Sequence, residues 1–86
     1  MFCWLVYTNK GKRYGGNGAT ESENRKRADE GREFRLLDGD GTVYFQGRMW
    51  SEDPGSDDDF APLDCYGSAF GCVEIQYHVD GEWASL

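Results

Sequence analysis

At 86 residues the chain is too short to divide into two stable cores, because a domain of this size removes only about 60–65% of its unfolded surface from water. Its net charge of −7 opposes indiscriminate adhesion to nucleic acid or anionic membrane, and the charge is unevenly held: residues 1–35 carry eight Lys and Arg against five Asp and Glu, whereas residues 36–86 carry Arg48 alone against eleven carboxylates. No apolar run reaches the roughly 18 residues that span a bilayer, and three cysteines behind an N-terminal stretch with no signal-peptide pattern argue for reduced thiols and a cytoplasmic protein.

Phe2 to Thr8 is apolar in both alternating sets, Phe2, Trp4 and Val6 against Cys3, Leu5 and Tyr7, which predicts a central strand covered on both faces. The glycine-rich "NKGKRYGGNGATESEN" reads as a loop, and a flexible polar segment is placed at about residues 9–32. Within it, Thr20 and Glu23 have the spacing of a capping box and Gly31 can close the far end, so a short helix over residues 21–30 is expected. Its weakness is the missing apolar stripe, since Ala28 is its one hydrophobic residue.

Residues 33–37 and 42–50 read as strands joined by "DGDG", the turn chemistry of a hairpin. Val43, Phe45 and Met49 fall on one face of the second strand, with Tyr44, Gln46, Arg48 and Trp50 on the other. Gly47 interrupts the first row and predicts a bulge or a close backbone contact. Residues 51–59 form an acidic loop, and "FAPLDCYGSAFG" an irregular, aromatic-rich connection laid over one end of the sheet. Cys72 to Val79 alternates again, with Val73, Ile75, Tyr77 and Val79 inward and Cys72, Glu74, Gln76 and His78 outward, before Asp80-Gly81 turns the chain into a last strand. The expected fold is mainly β, or α+β if the short helix forms: one domain over residues 1–86, an antiparallel sheet of about five strands with at most one short helix.

Candidate chemistry is tested by spacing. A calcium loop starting at Asp38 fails, because its fifth, sixth and twelfth positions hold Thr42, Val43 and Met49. Cys72 and His78 lie on one side of a strand but about 20 Å apart, too far for a dyad. No CxxC or paired-His spacing suggests zinc, and there is no nucleophile elbow, phosphate loop or dinucleotide fingerprint. No catalytic residue, metal or cofactor is therefore expected. Arg25, Lys26 and Arg27 form the basic cluster, and the acids around them make a solvated helix face the simpler reading.

The acidic half remains. Glu52, Asp53, Asp57, Asp58 and Asp59 repel one another and should stay extended and hydrated until a cationic partner arrives. Together with Asp64, and with Phe60, Tyr66 and Trp50 as aromatic anchors, they are the expected partner-binding residues. The expected partner is a protein with a basic, nucleic-acid-binding groove in which carboxylates replace phosphates; direct nucleic-acid and membrane contacts are not expected, and the oligomeric state is left open. Two alternatives stand beside this reading: an interaction module binding through exposed aromatics, and a small metal or hydrolase domain.

"LLDGDGTVYFQGR" (residues 36–48), "FAPLD" (60–64) and "GCVEIQY" (71–77) together resemble small proteins of phages and other mobile elements. The likeness covers about half the chain, leaves out residues 9–32 and carries no catalytic residue. It implies a small accessory role, and for a compact acidic protein an inhibitor of bacterial defence, the anti-CRISPR kind among them.

Overall fold

The computed structural model describes residues 1–18 and 20–86. The fold is mainly β. Strands β1 (Phe2–Thr8), β2 (Gly11–Gly16), β3 (Arg32–Asp38), β4 (Val43–Ser51), β5 (Cys72–Val79) and β6 (Glu82–Ser85) form one sheet in the order β2-β1-β4-β3-β5-β6. Every neighbouring pair is antiparallel. Helix α1 (Glu21–Asp29) covers one face, and α2 (Ala61–Phe70), preceded by a 3₁₀ helix at Asp57–Phe60, covers the other.

The doubly apolar pattern of β1 has its expected outcome: Cys3, Trp4, Leu5 and Val6 are all buried, and the strand runs between β2 and β4. Its even positions, Trp4 and Val6, join the main core beneath α2 with Phe34, Leu36, Met49, Ile75 and Tyr77. Its odd positions, Cys3 and Leu5, meet Ala28 of α1. β2 was expected to be loop. It pairs because Gly15 carries no side chain and Trp4 lies where a Cβ would stand, so the glycines that suggested a loop instead make room for an aromatic ring.

The Thr20 hydroxyl accepts the Glu23 N–H at 3.0 Å, the cap read from the sequence. Lacking an apolar stripe, α1 docks through the stems and heads of its arginines: the Arg25 guanidinium lies over the Tyr14 ring at 5.5 Å and that of Arg27 over Trp50 at 4.4 Å. Both arginines also pair one turn back, with Glu21 and Glu23 at 2.9 Å each.

α2 is the element the sequence reading missed, since residues 60–71 were assigned to an irregular connection. Pro62 stands in the first turn, where its missing N–H costs nothing, and Gly71 closes the helix in the left-handed conformation at φ 74°. Between them, Pro62, Tyr66 and Gly67 turn one side to the sheet. β5 also departs from simple alternation. A register shift between Leu37 and Asp38 sets Asp38 opposite Cys72, so Cys72 is buried and Val73 is turned out to solvent at 67% exposure, the reverse of the expected order.

The pairing fixes the two ends of the sheet. At one end β1 and β3 start and β4 and β5 finish; at the other lie the β1–β2 turn, the β3–β4 turn and the junction of α2 with β5.

Candidate functional site

Residues 51–59 lead into and form part of the 3₁₀ helix, and are not a uniform hydrated loop. Ser56 caps that helix by accepting the Asp58 N–H at 3.3 Å. The turn drives Asp59 inward, where it is 2% exposed. Its two oxygens accept from the two terminal nitrogens of Arg32 at 2.5 and 3.4 Å, and one of them also accepts the Gly55 N–H at 3.0 Å. The Tyr77 hydroxyl donates to the Asp59 carbonyl at 2.6 Å, and the Arg32 guanidinium lies over the Tyr77 ring at 4.5 Å. Burial, with the Asp59 charge behind it, pushes the Tyr77 hydroxyl far above its ordinary pKa. Asp59 is a folding residue joined to a cation 27 positions away, and cannot serve as a surface contact.

The remaining expected contacts divide. Tyr66 is 8% exposed and packs edge-on against Trp4 at 5.3 Å, so it belongs to the core and not to the surface. Trp50 is half-buried under Arg27 on the α1 side of β4, away from the α2 face. Glu52, Asp53, Asp57 and Asp64 are exposed, Asp58 is half-buried and accepts the Ser51 hydroxyl at 3.1 Å, and Phe60 is 37% exposed. These six side chains stand at the end of the sheet where β4 finishes and α2 starts. Among the described residues, one cation is in ion-pair contact with them, the Met1 amine on Glu52 at 3.0 Å, which holds the Glu52 carboxyl below its usual range. Asp80 in the β5–β6 turn and Glu82 at the start of β6 fall at the same end.

At the opposite end Asp38 folds its carboxylate into its own hairpin, accepting the backbone N–H groups of Thr42 and Asp40 at 2.9 Å each. The Thr42 bond, ahead of that from Asp40, lowers its pKa. A carboxyl whose folded-state pKa lies below its unfolded value adds stability that is present above the unfolded pKa and is lost as pH falls through the folded one. Asp38→Asn should therefore unfold at a lower urea concentration than wild type at about pH 6, with the two midpoints converging as the pH falls below the ordinary carboxylate range. A midpoint difference that does not change over that range would show that the charge on Asp38 contributes nothing to the hairpin.

Among the described residues, no three His, Cys, Asp or Glu side chains converge so as to hold a metal ion, and Cys3, Cys65 and Cys72 are free thiols. No helix there is long and apolar enough to cross a membrane. Sequence reasoning overlooked two groups of residues. Arg32, the partner of Asp59, has no local signature. A cleft of about 750 Å³ at the far end of the sheet, with Lys10, Lys12 and Arg13 in its lining, had one readable signal, the run of those three cations without an adjacent acid. The chain matches no protein-family model, and neither curated proteins nor solved structures provide a relative or a structural neighbour.

Proposed function

We propose that this chain is a non-enzymatic binding protein whose acidic end seats on a basic, nucleic-acid-binding surface of a partner protein, its carboxylates standing where phosphates would. The single observation behind this reading is the placement of Glu52, Asp53, Asp57, Asp58 and Asp64 at one end of the sheet, with the Met1 amine as the cation in ion-pair contact and Phe60 half-exposed beside them. Uncompensated like charges held on a folded surface raise the local potential and steer a cationic partner, while a neighbouring ring supplies the apolar contact that charge alone does not. The likeness to phage proteins points to a bacterial defence nucleoprotein as the partner class.

The test uses residues that the fold does not need. Asp53→Asn, Asp57→Asn and Asp64→Asn combined should leave the urea midpoint close to wild type, since exposed substitutions typically change stability by about 0.5 kcal/mol or less. As bait in bacterial lysate, wild type should retain a nucleic-acid-binding protein that duplex DNA displaces and that salt raised to about 0.5 M releases. The triple variant should hold that protein at least about tenfold more weakly. Equal retention by the variant, or a retained protein with no affinity for nucleic acid, would defeat the reading.

A further inference from the structure

The outermost strands of the sheet are β2 and β6, and each leaves one row of main-chain groups without a partner strand. The ladders fix which groups these are. Asn17 donates its N–H to the Phe2 carbonyl, so the hydrogen-bonded pairs of β1 and β2 continue at Gly15, Arg13 and Gly11. The N–H and C=O groups of Lys12, Tyr14 and Gly16 therefore point away from the sheet. Likewise the Leu86 N–H on the Ile75 carbonyl turns those of Trp83 and Ser85 outward from β6. Neither strand contains a proline or a break in register, devices that ordinarily shut an edge.

The two edges carry opposite charge. The β1–β2 turn and β2 hold Lys10, Lys12 and Arg13 with no acid, whereas the β5–β6 turn and β6 hold Asp80 and Glu82 with no cation. Arg13 and Glu82 both stand on the α2 side of the sheet, while Arg35, which lies over the Trp83 ring at 4.3 Å, is on the other side. Like charges keep β2 from a second β2 and β6 from a second β6, and opposite charges draw β2 to β6. The topology agrees. An even number of alternating strands makes β6 antiparallel to β2, so a second copy set beside the first in the same orientation continues an antiparallel sheet. With Lys12 opposite Trp83 of the second copy, outward main-chain groups meet and Arg13 falls opposite Glu82 of that copy.

We infer that copies of this chain join edge to edge, β2 of one on β6 of the next, into one continuous sheet. The contact is head-to-tail and does not close on itself, so it builds a series and not a dimer. Six strands at about 4.8 Å set successive acidic ends about 29 Å apart, roughly three Debye lengths at about 0.1 M salt, so the repulsion between those ends is screened. The contact leaves Glu52, Asp53, Asp57 and Asp64 displayed and does not depend on what they bind.

Sedimentation of the full chain from about 10 μM to about 1 mM, at about 20 mM and about 0.5 M salt, tests the contact. At low salt the mean mass is expected to climb with concentration past that of a dimer, and at high salt to fall back. Two charge-reversed variants change exposed residues: Lys12→Glu with Arg13→Glu, and Asp80→Asn with Glu82→Lys. Asparagine is tolerated at the positive φ of residue 80. Each variant alone should keep the wild-type urea midpoint and associate at least about tenfold more weakly. Their equimolar mixture should regain association, since it restores opposite charges across the contact. In the unsubstituted protein, amide hydrogen exchange at Lys12, Tyr14, Trp83 and Ser85 should slow as concentration rises. A wild-type mass that stays monomeric, a series that ends at the dimer, or unweakened association of either variant would overturn the contact. So would a monomeric mixture, or exchange at those four amides that is indifferent to concentration.

Discussion

Alanine at position 47 is expected to unfold the protein or to lower its urea midpoint severely. A Cβ on Gly47 would overlap the backbone oxygen of Leu5 and stand 2.8 Å from the Phe34 ring. The first of these is the strand partner's main chain, which cannot rotate away as a side chain does. Relief therefore means parting β1 from β4 at the centre of the sheet. Overpacking a core ordinarily costs about 1–3 kcal/mol, and with backbone as the obstacle a loss of about 4 kcal/mol or more is expected. Against a stability of about 4–13 kcal/mol for a domain this size, that unfolds the protein at the lower end of the range and greatly reduces its urea midpoint at the upper end. Gly39→Ala is the control: its Cβ would meet nothing within 4 Å, and its midpoint in urea should match wild type. A Gly47→Ala protein with a wild-type midpoint would mean that β1 and β4 are not as close as described.

The second large effect lies inside the acidic stretch. Asp59→Ala should lower stability by about 3 kcal/mol, because it strips the buried pair from Arg32 and leaves the Gly55 N–H without its acceptor. The figure is at the low end for a broken buried pair, since the Arg32 side chain keeps 36% of its exposure and recovers some hydration. Asp57→Ala, two residues earlier and exposed, should change stability by about 0.5 kcal/mol or less. Urea unfolding with an unchanged slope measures both. Equal effects of the two substitutions would mean that Asp59 is no more a folding carboxylate than its surface neighbours. The contrast also limits how acidic-surface variants should be built: neutralising 57, 58 and 59 together would confound lost charge with lost fold.

How much of this was legible in advance depended on the range of the interaction that decided it. The strands, the Asp-Gly turns and the Thr20 cap were readable because alternation, turn chemistry and capping act over a few residues, and they specify a mainly β chain. Gly47 was legible as a close approach, though not which backbone approaches it. The asymmetry of charge was also plain, since counting carboxylates needs no coordinates.

The rest required the chain to meet itself. Asp57, Asp58 and Asp59 are equivalent in sequence; Arg32 selects one of them, because a guanidinium 27 residues away offers two donors only where the 3₁₀ turn aims the carboxylate inward. Residues 61–70, with Pro62 and Gly67 among them, have a weak local preference, and their helix forms because the sheet accepts the face carrying Pro62 and Tyr66. One bulged register exchanges the sides of Cys72 and Val73. Lys12 and Phe70 line the same cleft only because β1 stops short of β4's first residues, a mismatch between two strand ends that neither strand encodes alone. By itself, then, the sequence determined the elements and the charge the molecule carries, through short-range patterns. Tertiary structure decided which charges are neutralised and which are displayed, because ion pairing and packing depend on distances that the sheet sets between segments far apart in the chain.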